Sequence, residues 1–212
     1  MTKQAAAMSR HTQSTRKTLS MKRIHSTILI ALAAGAALFQ SACSDNDNEQ
    51  LWDQYAEWRN ANISWIEAQA KRTNADGTPY YTKVVAPWDV SAYILMHTID
   101  GPHTDNLVPL STSTTDVRYH LHLYDGTPVD SSTNIKTYGD GIFRSRLNDD
   151  GLIAGWKLAV QNMHAGDSVE VIIPYTQAYG TQSLGVIKPY SALRFNLRLV
   201  DIPFYELPNY GN

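Results

Sequence analysis

One cysteine, Cys43, occurs in the 212 residues. A lone thiol closes no disulfide framework and builds no multi-thiolate metal centre, so neither device can hold this chain together. Charge is also scarce: 18% of the residues are charged, with 18 Lys and Arg against 20 Asp and Glu. Six of the basic residues (Lys3, Arg10, Arg16, Lys17, Lys22 and Arg23) precede Cys43, and no acidic residue does. Without them, 12 basic residues face 20 acidic ones, a net charge of −8. An acidic chain of that kind does not neutralise a phosphate backbone, which excludes nucleic acid as the expected partner. The motifs nearer the C-terminus do not centre on a serine, a cysteine or a metal-binding cluster, so covalent catalysis is not expected. His120 and His122 share a strand face but lack a third ligand at fixed spacing. A solvated strand face is the reading, with no metal and no cofactor.

What is present begins with a leader. Met21-Lys-Arg-Ile-His-Ser26 is basic, and the apolar run Thr27 to Phe39 behind it is shorter than the ~20 residues that span a bilayer. Residues 1–42 are therefore read as a signal peptide, with Met21 as an alternative start. Ser41-Ala42-Cys43 resembles a bacterial lipobox, with Gln40 where that motif prefers leucine. A buried free thiol is the plainer use of a lone cysteine. The place of Cys43 directly behind the apolar run favours lipidation. The expected location is the Gram-negative cell envelope, anchored in the outer membrane on its periplasmic or surface face. Residues 43–50 follow as an acidic tether in which Ser44 to Glu49 offer nothing apolar to bury, so flexibility is expected. An acidic run behind a lipidated cysteine resembles a surface-display signal, and a plain linker has the same composition.

Residues 51–106 read as a helical extension with added strands. Leu51, Tyr55, Trp58, Asn62, Trp65, Ile66 and Ala70 recur at helical spacing from Glu49 to Arg72. The stripe of Trp52, Trp58 and Trp65 is expected to be the buried face of this helix rather than a ligand site. Asn62-Ile-Ser64 matches a glycosylation sequon, which carries no meaning behind a bacterial lipobox. Tyr80 to Val85 and Ala92 to Thr98 are β-like and are expected to extend the edge of the next domain's sheet. In residues 107–212 Val117, Tyr119, Leu121 and Leu123 alternate with Arg118, His120, His122 and Tyr124. A helix of barely two turns, Gly155 to Met163, presents Trp156, Ala159, Val160 and Met163 on one side. Strands at Ser168 to Ile173 and Ser191 to Ile202 flank a long loop. The fold class is α+β, an antiparallel sheet wrapped around one short helix, with an N-terminal helical extension.

The motifs of this last segment come in a fixed order: Val117-x-Tyr119, Asp125-Gly126, Asp130-Ser-Ser132, Leu152-Ile-x-Gly-Trp156, Met163-x-x-Gly166, Ile173-Pro174, Ala178-Tyr-Gly180, Ile187-x-Pro189 and Leu193-x-Phe195. Any one would mean little, but nine in order are hard to obtain otherwise. From about Leu107 to Ile202 the chain resembles the FKBP-type peptidyl-prolyl cis/trans isomerases. The resemblance implies an isomerase acting on proline-containing polypeptides, here exported proteins that need help to fold. It also implies macrolide inhibitors as a second class of ligand. Trp156 would be the floor under the proline ring. The Ile153 N–H and the Tyr179 hydroxyl would hold ligand carbonyls, and Asp130 would sit beside Tyr119 at the pocket edge. Tyr119, Phe143, Leu152, Ile187 and Phe195 would form walls.

Plainer readings exist for each. Trp156, Phe143 and Phe195 would be core in most small α+β domains. Asp130 before two serines builds turns, and Tyr179 before Gly180 can close a helical turn. The chain also departs from the family pattern. Val129 stands where phenylalanine is usual, Thr133 to Ile142 is longer than usual, Thr181 to Lys188 is about one residue shorter, and Lys188 replaces a common proline. These departures keep two rivals open: a weakly active or inactive FKBP-fold chaperone or binding module, and a dimerisation role for the helix from Glu49.

Overall fold

The computed structural model describes residues 45–205, so the leader, Cys43 and the last residues lie outside it. Among the described residues no helix is long and apolar enough to cross a membrane. The chain runs α1 (Asp45–Gln54), α2 (Ala56–Ala70), β1 (Thr82–Ala86), β2 (Asp89–Asp100), β3 (Thr114–Leu123), β4 (Pro128–Ser131), β5 (Phe143–Arg146), α3 (Ala154–Val160), β6 (Ser168–Ile173) and β7 (Leu193–Asp201). All seven strands join one antiparallel sheet in the order β1-β2-β6-β7-β3-β4, with β5 also paired to β3. The sheet therefore takes in strands from both sides of residue 107.

Two sequence expectations change near the start. Most of the stretch expected to be a flexible tether is drawn into α1, because helix formation continues back from the apolar residues through Asp45. The single helix expected from Glu49 to Arg72 is divided, since the backbone at Tyr55 relaxes to φ −105°, ψ 17°. The tryptophan stripe is not wholly buried either. Trp52 is 45% exposed, and the residues that α2 buries are Arg59, Asn62 and Ile66.

The sheet carries core on both faces. On one face, α3 packs Trp156, Ala159 and Val160 against Ile94 and Met96 of β2, Val171 and Ile173 of β6, Phe195 of β7 and Tyr119 of β3. On the other, Ile66 of α2 meets Leu95, Ile172, Ala192 and Tyr81. Leu95 and Ile172 are register partners in the β2–β6 ladder. This explains why Ile94-Leu95-Met96 and Val171-Ile172-Ile173 are buried without a break: side chains alternate across a strand, and here both sides are covered. Strand β3 is open to solvent on its outer side, so Val117, Tyr119 and Leu121 are buried while Arg118 and His120 are exposed.

Candidate active site

The short helix α3 begins from extended backbone at Ile153 (φ −64°, ψ 147°), whose N–H, as a capping residue's, has no partner within the helix. Gly155 lets this helix lie close on the sheet. A Cβ there would stand 2.3 Å from a methyl group of Ile173 and 3.1 Å from the Gln177 carbonyl. That approach seats Trp156 among aromatic rings, all edge-on to it: Tyr119 at 5.5 Å, Phe143 at 5.8 Å and Phe195 at 5.4 Å between centroids. Such edge-to-face pairs are each worth about 0.5–1.5 kcal/mol beyond the area they bury. The indole N–H of Trp156 is buried and has no acceptor among the described residues.

Beside this cage lies a polar edge. The Tyr119 hydroxyl donates to Asp130 Oδ2 at 2.7 Å, while Asp130 Oδ1 accepts from the Ser131 N–H at 2.8 Å. Asp130 thus serves the turn and the cage together, one oxygen for each. Buried Ser132 completes the motif, its hydroxyl accepting from the Tyr119 N–H at 3.0 Å. Burial, and then the bond to Asp130, push the Tyr119 phenol well above the ordinary tyrosine range. Tyr179 is raised in the same direction, by burial first and by the Asp130 charge second. Both phenols therefore stay protonated near neutrality and keep an O–H to donate.

The remaining residues expected at the site converge here. Ile187 joins the buried cluster around Trp156, and Val129, Leu152, Ile153 and Tyr179 pack on it while partly exposed. These four and Asp130 are partly exposed around the buried rings. The loop from Thr181 to Lys188 folds as a tight hairpin in which Leu184 and Ile187 exchange backbone bonds of 2.9 Å around Gly185 and Val186. The long segment is tied down as well: Lys136 pairs with Asp140 at 2.8 Å, Arg118 Nε donates to the Asp140 carbonyl at 3.1 Å, and Arg144 covers the Tyr138 ring at 4.3 Å.

Residues 108–200 match the family model described as FKBP-type peptidyl-prolyl cis-trans isomerase. These residues resemble an FKBP-type domain. The chain is 28% identical over 178 residues to the FKBP-type peptidyl-prolyl cis-trans isomerase FkpA of Escherichia coli strain K12, covering 82% of this chain and 63% of that protein. It thus spans less than two thirds of that relative's length. It is 39% identical over 88 residues to the macrophage infectivity potentiator of Trypanosoma cruzi, which covers 41% of this chain and 42% of that one. A crystal structure of a peptidyl-prolyl cis-trans isomerase from Pseudomonas syringae superposes with a TM-score of 0.54 at 28% identity, over 70% of this chain and 95% of that one. The fold is FKBP-like, and the family is one of isomerases.

What the sequence did not disclose is how the extension reaches the FKBP-type domain. Asn62 Oδ1 accepts from the Ala192 N–H at 2.8 Å, its amide donates to the Trp58 carbonyl at 2.8 Å, and Trp58 Nε1 donates to Ser191 Oγ at 3.0 Å. Tyr190, held at φ 64°, packs edge-on against Trp52 at 5.5 Å, and the Arg59 guanidinium covers the Trp52 ring at 3.4 Å. A polar residue within the helical stripe, Asn62, was the one available signal. Asn62 is also fully buried, which leaves no room for a glycan at that sequon.

Proposed function

We propose that the chain is a peptidyl-prolyl cis/trans isomerase that assists the folding of exported proteins from a lipid anchor on Cys43 in the outer membrane. The observation that carries the reading is the closed aromatic floor at Trp156 beside the Tyr119–Asp130 pair. An X-Pro bond turns over a barrier of about 18–20 kcal/mol because twisting breaks amide resonance. No nucleophile is required. The proline ring rests on Trp156, walled by Tyr119, Phe143, Ile187 and Phe195, where water is excluded and amide charge separation is disfavoured. The Ile153 N–H and the Tyr179 hydroxyl hold flanking carbonyls, and Asp130 faces the carbonyl that rotates. Binding the twisted form better than either planar form is the whole of the catalysis. Macrolides would compete for the same floor, less tightly for the loss of aromatic surface at Val129.

A protease-coupled assay on Xaa-Pro peptides tests this. Acceleration that falls at least tenfold in Asp130→Ala, with an unchanged circular dichroism spectrum, is expected. A rate no faster than the thermal one at micromolar protein overturns it. The anchor is tested separately, by metabolic labelling with a fatty-acid analogue that Cys43→Ser abolishes.

One observation favours a second reading, a client-holding module. The β1–β2 hairpin tip displays Trp88 and Val90 at 67% and 87% exposure, an apolar tip that unfolded polypeptide could occupy. Suppression of aggregation that survives Trp156→Ala and fails in Trp88→Ser would establish it.

A further inference from the structure

A cavity of about 560 Å³ lies away from Trp156. It is lined by Glu49, Trp52 and Asp53 of α1 and by Tyr175, Thr181 and Tyr190 of the FKBP-type domain. Its volume falls within the range of sites that take a small ligand or a side chain. Its walls belong to the loops that bear Tyr179 and Ile187. Thr181 is two residues beyond Tyr179, the Gly180 N–H donates to the Tyr175 carbonyl at 3.0 Å, and the Tyr190 N–H donates to the Gly180 carbonyl at 2.8 Å. A chain leaving the Trp156 floor past Tyr179 runs toward the loop residues that line the cavity.

The chemistry of the lining has one sign. Glu49 and Asp53 stand one turn apart on α1, both exposed, and neither forms an ion pair among the described residues. No basic residue occurs anywhere in α1. Like charges at that spacing repel, and a cation placed between them relieves the repulsion. The walls opposite are aromatic, and this cluster already holds one cation: Arg59 lies 3.4 Å from the Trp52 ring centre and 5.7 Å from that of Tyr190. Arg59 donates to the Trp52 carbonyl and leaves the two carboxylates free.

We infer that this cavity is a subsite for a lysine or arginine side chain of the polypeptide whose proline occupies the Trp156 floor. The inference rests on the isomerase reading for the position of the proline, but recognition of the basic side chain does not require turnover. Carboxylates at the rim attract the cation and aromatic edges cover its stem.

The test uses the full chain and matched proline peptides that carry lysine, glutamine or glutamate two to four residues from the proline, on either side. Affinity is read by calorimetry and kcat/KM by the protease-coupled assay, both at low salt. At one of these positions lysine should exceed glutamate about threefold to tenfold in affinity and in kcat/KM. Glu49→Gln/Asp53→Asn should abolish that preference and leave the glutamine peptide unchanged. Trp52→Ala should reduce it. Equal affinity for lysine and glutamate peptides, or a preference that survives the double substitution, overturns the subsite. A lysine preference in binding without any acceleration keeps the subsite and sinks the isomerase reading, whereas acceleration without preference does the reverse.

Discussion

Two aromatic clusters lie within a few residues of each other, and they are held by opposite means. Around Trp156 the rings meet other rings and aliphatic side chains, and the one charged group, Asp130, touches the edge through a phenol. Around Tyr190 the rings meet a guanidinium, and the sequence supplies carboxylates and solvent at the rim. Trp156 is 2% exposed, Trp52 45%. The first cluster is anchored in the strands and helix of the sheet's core, so its shape is fixed before anything binds. The second joins two helices and two loops and owes its geometry to cation–π contacts, which tolerate adjustment. A fixed surface suits a ring of one shape, and an adjustable one suits side chains of varied length.

The difference can be broken at either end. Trp156→Ala should cost about 3–5 kcal/mol in chemical denaturation, because a buried ring leaves a cavity the sheet cannot fill. Asn62→Leu leaves the buried Ala192 N–H without an acceptor and should cost about 2 kcal/mol, with the α2–domain contact loosened in hydrogen exchange. Tyr119→Phe removes one bond to Asp130, and the expected loss is about 1 kcal/mol of stability with a larger fall in kcat/KM. Trp52→Ala, in the exposed cluster, should cost less than about 1 kcal/mol.

The smallest effect is the pH dependence. Both phenols at the cage have pKa values raised by folding, so their contribution is intact below the unfolded tyrosine value of about 10 and is lost only as pH rises beyond it. The kcat/KM profile should therefore show no phenol ionisation between about pH 6 and about pH 9. An alkaline limb in that range that vanishes in Tyr179→Phe would mean the phenol is wetter than its packing implies.

The cage was legible in the sequence through the ordered motifs that carry the family resemblance, beside local patterns that set individual side chains. The alternation of Val117, Tyr119 and Leu121 put Tyr119 on the inner face, and the Leu152-Ile-x-Gly-Trp156 run, by its resemblance to the family, put Trp156 on a short helix that Gly155 lets approach the sheet. The double role of Asp130 was also open to that reading, as a turn former and as a partner of Tyr119. The second cluster could not be read so. Asn62 and Trp58 find their partners 130 and 133 residues away, and no periodicity announces a pairing at that distance. The same holds for Leu95 and Ile172: a run of three apolar residues says that a strand is buried, not which helix covers its second side.

That second side sets where the chain can be cut. If residues 108–200 were produced alone, β6 would lose β2 and become a bare edge, with the Ile172 side no longer shielded by Ile66. Unpaired edges with apolar flanks recruit other edges, so this fragment should self-associate in light scattering, while one starting at Glu49 should not. On that expectation the unit that folds alone extends beyond residues 108–200 to take in β2 and α2.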